Sequence, residues 1–209
     1  MVVAVIGTGN MGSGLAPLLA GNGVEVVIGG RDAAKAAKLA EDIGGGARGT
    51  GIAAAAEHAE LIILAVYYQK MEETIRAAGD LSGKILVDIS NPITEDFKGL
   101  LIGHTISAAE EIQKLAPNAK VVKAYNTIFA QMLPAEARER RAPVQVFVAA
   151  DDEAAKKAVF DIVSKGGFEP IDAGPLSNAR FLEPIGEMNI HFGFFLGSGT
   201  SAAPAWTKG

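Results

Sequence analysis

Short apolar runs alternate with amphipathic stretches along most of this 209-residue chain. Val2–Ile6 is apolar throughout, the pattern of a strand buried on both faces of a parallel sheet. Behind it, Met11, Leu15, Leu18 and Leu19 recur at helical spacing. That predicts a helix over Asn10–Gly21, with Pro17 placed to bend or weaken it. Further strands are predicted at residues 24–28, 61–66, 85–89, 121–124, 144–149 and 168–172, with a weaker one near 47–50. Helices are predicted over 32–43, 53–57, 69–78, from Ser107 to about Leu115 and from Asp152 to about Ser164. Ser107-Ala-Ala-Glu110 has the spacing of a capping box. Residues 91–105 follow no regular period, and from Ser177 the chain reads as helical and very apolar, with a kink at Pro184.

This order predicts an α/β fold, a doubly wound parallel sheet. The first strand breaks directly into Gly7-x-Gly9-x-x-Gly12 and then a helix. In that context the glycines read as a dinucleotide-binding fingerprint of the Rossmann type. Gly7 allows the tight turn, Gly9 lets a pyrophosphate approach the backbone, and Gly12 lets the helix lie close to the strand. Thr8, Asn10 and Met11 fill the loop whose N–H groups face the phosphates. Gly174-Pro175 marks the clearest boundary, giving a Rossmann domain over 1–174 and a small helical C-terminal extension over 175–209.

The second strand ends in Gly29-Gly30-Arg31, where an NAD enzyme places an acid for the ribose 2′-hydroxyl. Gly30 leaves out that acid, Arg31 offers a fork of donors suited to a 2′-phosphate, and Lys35 lies on the same side of the next helix. Thr8 adds a hydroxyl. The favoured cofactor is NADP(H). The alternative makes Asp32 the ribose acid, but Asp32 comes late for that and suits a helix cap.

Composition narrows the class further. The net charge is −5, with no basic run, which argues against nucleic acid. There is no cysteine, and His58, His104 and His191 lack metal-ligand spacing, so no metal site is expected. No apolar run reaches the length of a membrane span, and no basic segment precedes the first apolar stretch, so neither a membrane segment nor a signal peptide is expected. The expected location is cytoplasmic.

Ligands of open α/β sheets sit outside the carboxyl ends of the strands. That selects Val66 and Tyr67 toward the adenosine side, Asn91 and Pro92 near the middle of the crevice, and Asn126 and Thr127 for the nicotinamide carboxamide. Each Asn also suits a turn that satisfies its own backbone. Tyr67, Tyr68 and Tyr125 are the available phenols, but none has a Tyr-x-x-x-Lys partner, and no catalytic residue is assigned. A hydride passing between two stacked rings needs no protein acid to polarise a carbonyl. The missing acid therefore points toward transfer between cofactors.

Gly7-Thr-Gly-Asn-Met-Gly, Gly29-Gly-Arg-Asp-x-x-Lys35, Ser107-Ala-Ala-Glu110 and Asp172-Ala-Gly-Pro-Leu-Ser-Asn-Ala-Arg180 together resemble the coenzyme F420-dependent NADP oxidoreductases. The resemblance covers nearly the whole chain. It implies a Rossmann domain with a small helical C-terminal part, a homodimer, and hydride exchange between NADP(H) and the deazaflavin F420. It implies Thr8, Arg31 and Lys35 at the 2′-phosphate and Asn126-Thr127-Ile128 beside the nicotinamide. The chain departs from the family pattern at Gly30, Asn126 and Phe129 and in its C-terminal end. The expected second substrate is F420 or a flavin, FMN or FAD. Phe181, Met188, Phe192 and Trp206 are candidates for its apolar wall, or for core or dimer contacts. The alternatives are a reductase of a small carbonyl or imine and a non-enzymatic NADP(H) sensor.

Overall fold

Val3, Ala4, Val5 and Ile6 are sealed from solvent because helices cover both faces of the strand they form. The computed structural model describes residues 1–139 and 143–207. Its strands are β1 (Val2–Ile6), β2 (Glu25–Gly30), β3 (Arg48–Gly51), β4 (Leu61–Leu64), β5 (Ile85–Asp88), β6 (Lys120–Lys123), β7 (Gln145–Ala150) and β8 (Glu169–Asp172). The α-helices are α1 (Asn10–Gly21), α2 (Ala33–Ile43), α3 (Ile52–His58), α4 (Met71–Ala78), α5 (Ala108–Leu115), α6 (Glu153–Lys165) and α7 (Ala179–Ile190).

The strands form one eight-stranded sheet in the order β3-β2-β1-β4-β5-β6-β7-β8. Strand alternation divides the core. Val3 and Val5 pack with Leu15 and Leu19 of α1, Ala36 and Ala40 of α2, and Val159 of α6. Ala4 and Ile6 face the other way, toward Ala55 of α3, Met71 and Ile75 of α4, and Ile112 of α5. The start of α7 joins this second layer through Ala179.

The predicted elements stand, with ends shifted by a residue or two, except at the C-terminal end, where the expected helix stops at Phe195 and residues 196–207 run without regular structure past Gly197 and Gly199, both at positive φ. Helix α1 runs on through Pro17, and α7 through Pro184. Asp32 caps α2 by accepting the Lys35 amide, and Ser107 and Glu110 form the capping box that opens α5. The sheet is mostly parallel, as expected, with one exception. Strands β1–β6 are parallel, but β7 pairs antiparallel with β6, and β8 then runs parallel to β7. The connection from Tyr125 to Val144 contains only short 3-10 turns among its described residues. Without a crossover helix to carry it back, the chain re-enters the sheet from the carboxyl end of β6.

Gly12 shows how tightly α1 lies on β1. A Cβ there would overlap the carbonyl oxygen of Gly7. Gly7 itself has φ 124°, and a Cβ on it would overlap the carbonyl of Ala65 behind β4. We predict that Gly12→Ala lowers stability by about 1–3 kcal/mol through overpacking, read from urea unfolding. A variant as stable as the parent would show that α1 can move off the strand freely.

Candidate functional site

Two features of the β1–α1 turn suit an anion. Gly9 caps α1 without a side chain, and no acidic residue lies in the helix's first turn, so its positive end is left unneutralised by the helix's own residues. A Cβ on Gly9 would meet nothing within 4 Å, so the approach is open at the place where Gly7 and Gly12 are closed. Val66 touches the same turn, its Cγ1 lying 3.3 Å from where a Cβ on Gly7 would stand. Tyr67 follows it, 68% exposed. At the end of β2, a Cβ on Gly30 would sit 3.5 Å from the Thr8 methyl, which brings those two predicted residues together. Arg31 and Lys35 are exposed beside them, and neither has an ion-pair partner among the described residues.

Some distance along the carboxyl edge, Asn91 and Asn126 form a second constellation. Asn91 Nδ2 donates to the Asn126 carbonyl at 2.8 Å, and Asn126 Nδ2 donates to Asn91 Oδ1 at 2.9 Å. Asn126 also donates to the Leu182 carbonyl of α7 at 2.8 Å, while its Oδ1 is buried with no partner among the described residues. Gly186 of α7 lies flat on this pair, for a Cβ there would come within 2.6 Å of Asn91 Oδ1. Thr127 is buried, and its carbonyl accepts from Asn189 of α7 at 3.1 Å. Pro92 is buried beside Asn91.

Beneath the amides sits a cluster that sequence reasoning missed. Lys123 is fully buried, its Nζ 2.7 Å from Asp88 Oδ2, 2.8 Å from Glu183 Oε1 and 2.6 Å from the Ser90 carbonyl. Asp88 and Lys123 are register partners on β5 and β6. Asp88 Oδ1 accepts from the Ser90 amide and hydroxyl. Glu183 reaches from α7 to accept the amides of Ala108 and Ala109, at 3.0 and 3.3 Å, in the first turn of α5. Burial works against the Lys123 ammonium, but Asp88 and Glu183 outweigh it and hold its pKa above the ordinary lysine value. Burial lifts the Glu183 carboxyl above the usual carboxylate range; Lys123 opposes this and Asp88 adds to it.

Comparison with known proteins decides the family. Residues 2–92 match the family model described as NADP oxidoreductase, coenzyme F420-dependent. The F420-dependent NADP reductase of Methanothermobacter marburgensis is 34% identical over 209 residues, spanning 91% of this chain and 92% of its own. The chain belongs to the F420-dependent NADP oxidoreductase family. A solved structure from Arthrobacter sp. FB24, itself a candidate F420-dependent NADP reductase, superposes with a TM-score of 0.83 at 33% identity, covering 91% of this chain and 92% of that one. Rat metalloreductase STEAP3 is 35% identical over 183 residues; these are 88% of this chain but only 36% of the rat protein.

Within this F420-dependent oxidoreductase fold, the two motifs that carried the resemblance outside the nucleotide loops meet each other. Arg180 donates to both carboxylate oxygens of Glu110, at 2.5 and 2.8 Å, and so ties α7 to the capping box of α5. Other candidates lie apart from the amide pair. Tyr125 has its ring in the core against Phe168, and Tyr68 donates its hydroxyl to Glu111. Phe181, Met188, Phe192 and Trp206 are all exposed, so none is a core residue of the single chain. Helical periodicity turns Phe181 and Met188 away from the side where Gly186 meets the amides, so these two do not wall the crevice there. The rings that meet one another nearby are instead Phe97, Phe129 and Phe194, tilted or edge-on. Among the described residues, no cluster of His, Asp and Glu could hold a metal, and no helix is long and apolar enough to cross a membrane.

Charges inside otherwise apolar strands were the available signal for the missed cluster, since Asp88 and Lys123 each close a run that is buried on both sides. We predict that Lys123→Met costs about 3–5 kcal/mol near pH 7, because two carboxylates are left buried without their cation. The sign with pH follows from Glu183, whose folded pKa lies above the unfolded value of 4.5. Its contribution is fully present below that value and is lost as pH rises through the folded pKa. Removing the ammonium enlarges that loss, so the deficit of Lys123→Met should shrink on going from about pH 8 to about pH 5. Urea titrations at both pH values check this, and an unchanged deficit would contradict it.

Proposed function

We propose that this chain moves a hydride between NADP(H) and the deazaflavin ring of F420. The observation that carries the nucleotide half is a pair of exposed cations just beyond β2, Arg31 and Lys35, without ion-pair partners among the described residues, where the strand closes on Gly29-Gly30 rather than on an acid. In this reading Gly7, Thr8, Gly9, Asn10, Met11 and Gly12 cradle the pyrophosphate, with the open face of Gly9 toward it. Gly30 packs close to Asp32, Ala36 and Thr8 and puts no acid in the way of the 2′-phosphate, which Thr8, Arg31 and Lys35 bind. Val66 and Tyr67 flank the adenosine side, and Asn91, Pro92, Asn126 and Thr127 frame the nicotinamide end. Asn126 Oδ1, buried with no partner among the described residues, is the acceptor available to the carboxamide N–H there.

The nicotinamide supplies the hydride. The chain's part is to hold two rings face to face and keep water out. Family membership supports F420 as the second ring, and a flavin is the nearest alternative in chemistry. We also assign a homodimer. Phe181, Met188 and Phe192 are exposed at helical spacings of a single face, and a second copy would bury them.

Three outcomes are expected. Arg31→Ala should weaken NADPH binding by about 1.5–3 kcal/mol and leave NADH binding nearly unchanged, measured by fluorescence titration. Equal losses for the two nucleotides would remove the 2′-phosphate assignment. Anaerobic NADPH oxidation should proceed with F420 and be slower with FMN. Turnover with FMN alone would change the partner, and binding of NADPH without turnover of either would bring a small carbonyl or imine substrate forward. Sedimentation should report a dimer, and a monomer at micromolar concentration would leave the apolar stripe without this explanation.

A further inference from the structure

We infer that Glu187 and His191 form a proton relay opening on the acceptor half of the crevice. The inference rests on the hydride-transfer reading above. It starts from a contrast between two acids one turn apart on α7. Glu183 is buried and takes hydrogen bonds from Lys123 and two α5 amides. Glu187 is 8% exposed, yet both its carboxylate oxygens lack a hydrogen-bond partner among the described residues. Burying a carboxyl without donors is costly, and the fold gains no hydrogen bond from it in return. Its nearest polar neighbour is His191 Nε2 at 3.3 Å, one turn further along the helix. The side chains are 10% and 32% exposed respectively, so the pair runs from the interior toward solvent.

Position supplies the second argument. The residue before Glu187 is Gly186, which lies on the Asn91–Asn126 pair. One turn beyond His191 begins the ring cluster, where Phe194 meets Phe129 at 5.7 Å and Phe97 at 6.4 Å between ring centroids. The backbone loosens into a π-helical turn over His191–Phe195. Along α7, Glu187 therefore lies between Gly186, which meets the amides that frame the nicotinamide end, and the turn that carries Phe194. The charged groups facing it are His191 from its own helix and Asp96 from the 91–105 segment. Burial raises its carboxyl above the usual range; His191 opposes the rise and Asp96 adds to it.

The overall reaction moves a proton as well as a hydride. NADPH gives up one hydrogen with two electrons, and the reduced deazaflavin carries that hydrogen plus one proton. The proton has to come from outside the nucleotide, into a site from which water is excluded. Protonated Glu187 donates it to a ring nitrogen, whose electron pair forms the new N–H bond. The carboxylate left behind is reprotonated through His191, which passes on a proton taken from solvent. In the oxidising direction each transfer reverses.

The test compares wild type, Glu187→Gln and His191→Gln in single- and multiple-turnover stopped-flow oxidation of NADPH by F420 across pH. Difference infrared spectra of the same proteins, without substrates, report the carboxyl directly. Glu187→Gln should fold with unchanged or higher Tm and bind NADPH as before. Its transfer rate should fall by roughly 10²-fold or more, and the alkaline decline of the wild-type rate should disappear. His191→Gln should keep the first turnover and slow the following ones. The wild type should show a protonated-carboxyl infrared band, titrating above the usual carboxylate range, that Glu187→Gln lacks. An active wild type matched by Glu187→Gln at every pH, or the absence of that band, would overturn the relay alone. A wild type that binds NADPH but reduces neither F420 nor FMN would remove the hydride-transfer reading and the relay with it.

Discussion

Asp88, Lys123 and Glu183 meet where no water reaches, and the carboxyl end of this sheet is organised around that meeting. Two acids share one ammonium, which leaves an excess negative charge in the interior. The first turn of α5 offsets part of it by presenting two amides to Glu183. Such a cluster is weak evidence of net stability, because desolvation consumes much of what the charges gain. It does restrict geometry. A slip of α7 by one residue would take Glu183 away from both Lys123 and the α5 amides, leaving buried charges unpaired.

Fixing α7 fixes the surroundings of the Asn91–Asn126 pair. The same helix supplies the Leu182 carbonyl to Asn126, the bare Cα of Gly186 to the amide pair and the Asn189 side chain to Thr127. Arg180 on Glu110 holds its first turn against α5. Lys123 also takes the Ser90 carbonyl, so the strand end that leads into Asn91 is set by the same ammonium. The buried charges and the crevice above them are one connected structure.

The nucleotide end was legible in the sequence because its requirements are local. Gly7, Gly9 and Gly12 act through backbone conformation and close approach within a few residues, and the replacement of an acid by Gly30-Arg31 occurs at one strand end. Asp32 as a cap and Ser107-x-x-Glu110 as a capping box are local in the same way. The antiparallel β7 was not legible, since the periodicity of a strand carries no direction. The outward turn of Phe181 and Met188 was not legible either, because apolar character does not say which side of a helix the core occupies.

By itself, then, the sequence determined the order of elements, the glycine turn after β1 and the cations that follow the Gly29-Gly30 strand end, each set by near neighbours in the chain. The tertiary structure alone decided the rest. Lys123 finds Glu183 across 60 residues, Asn126 finds Asn91 across 35, and Glu187 is buried with His191 beside it and no hydrogen bond among the described residues. Those pairings depend on which helix lies over which strand end. Charge and hydrogen-bonding capacity along the chain state only that buried polar groups need partners, and folding selects which partners they find.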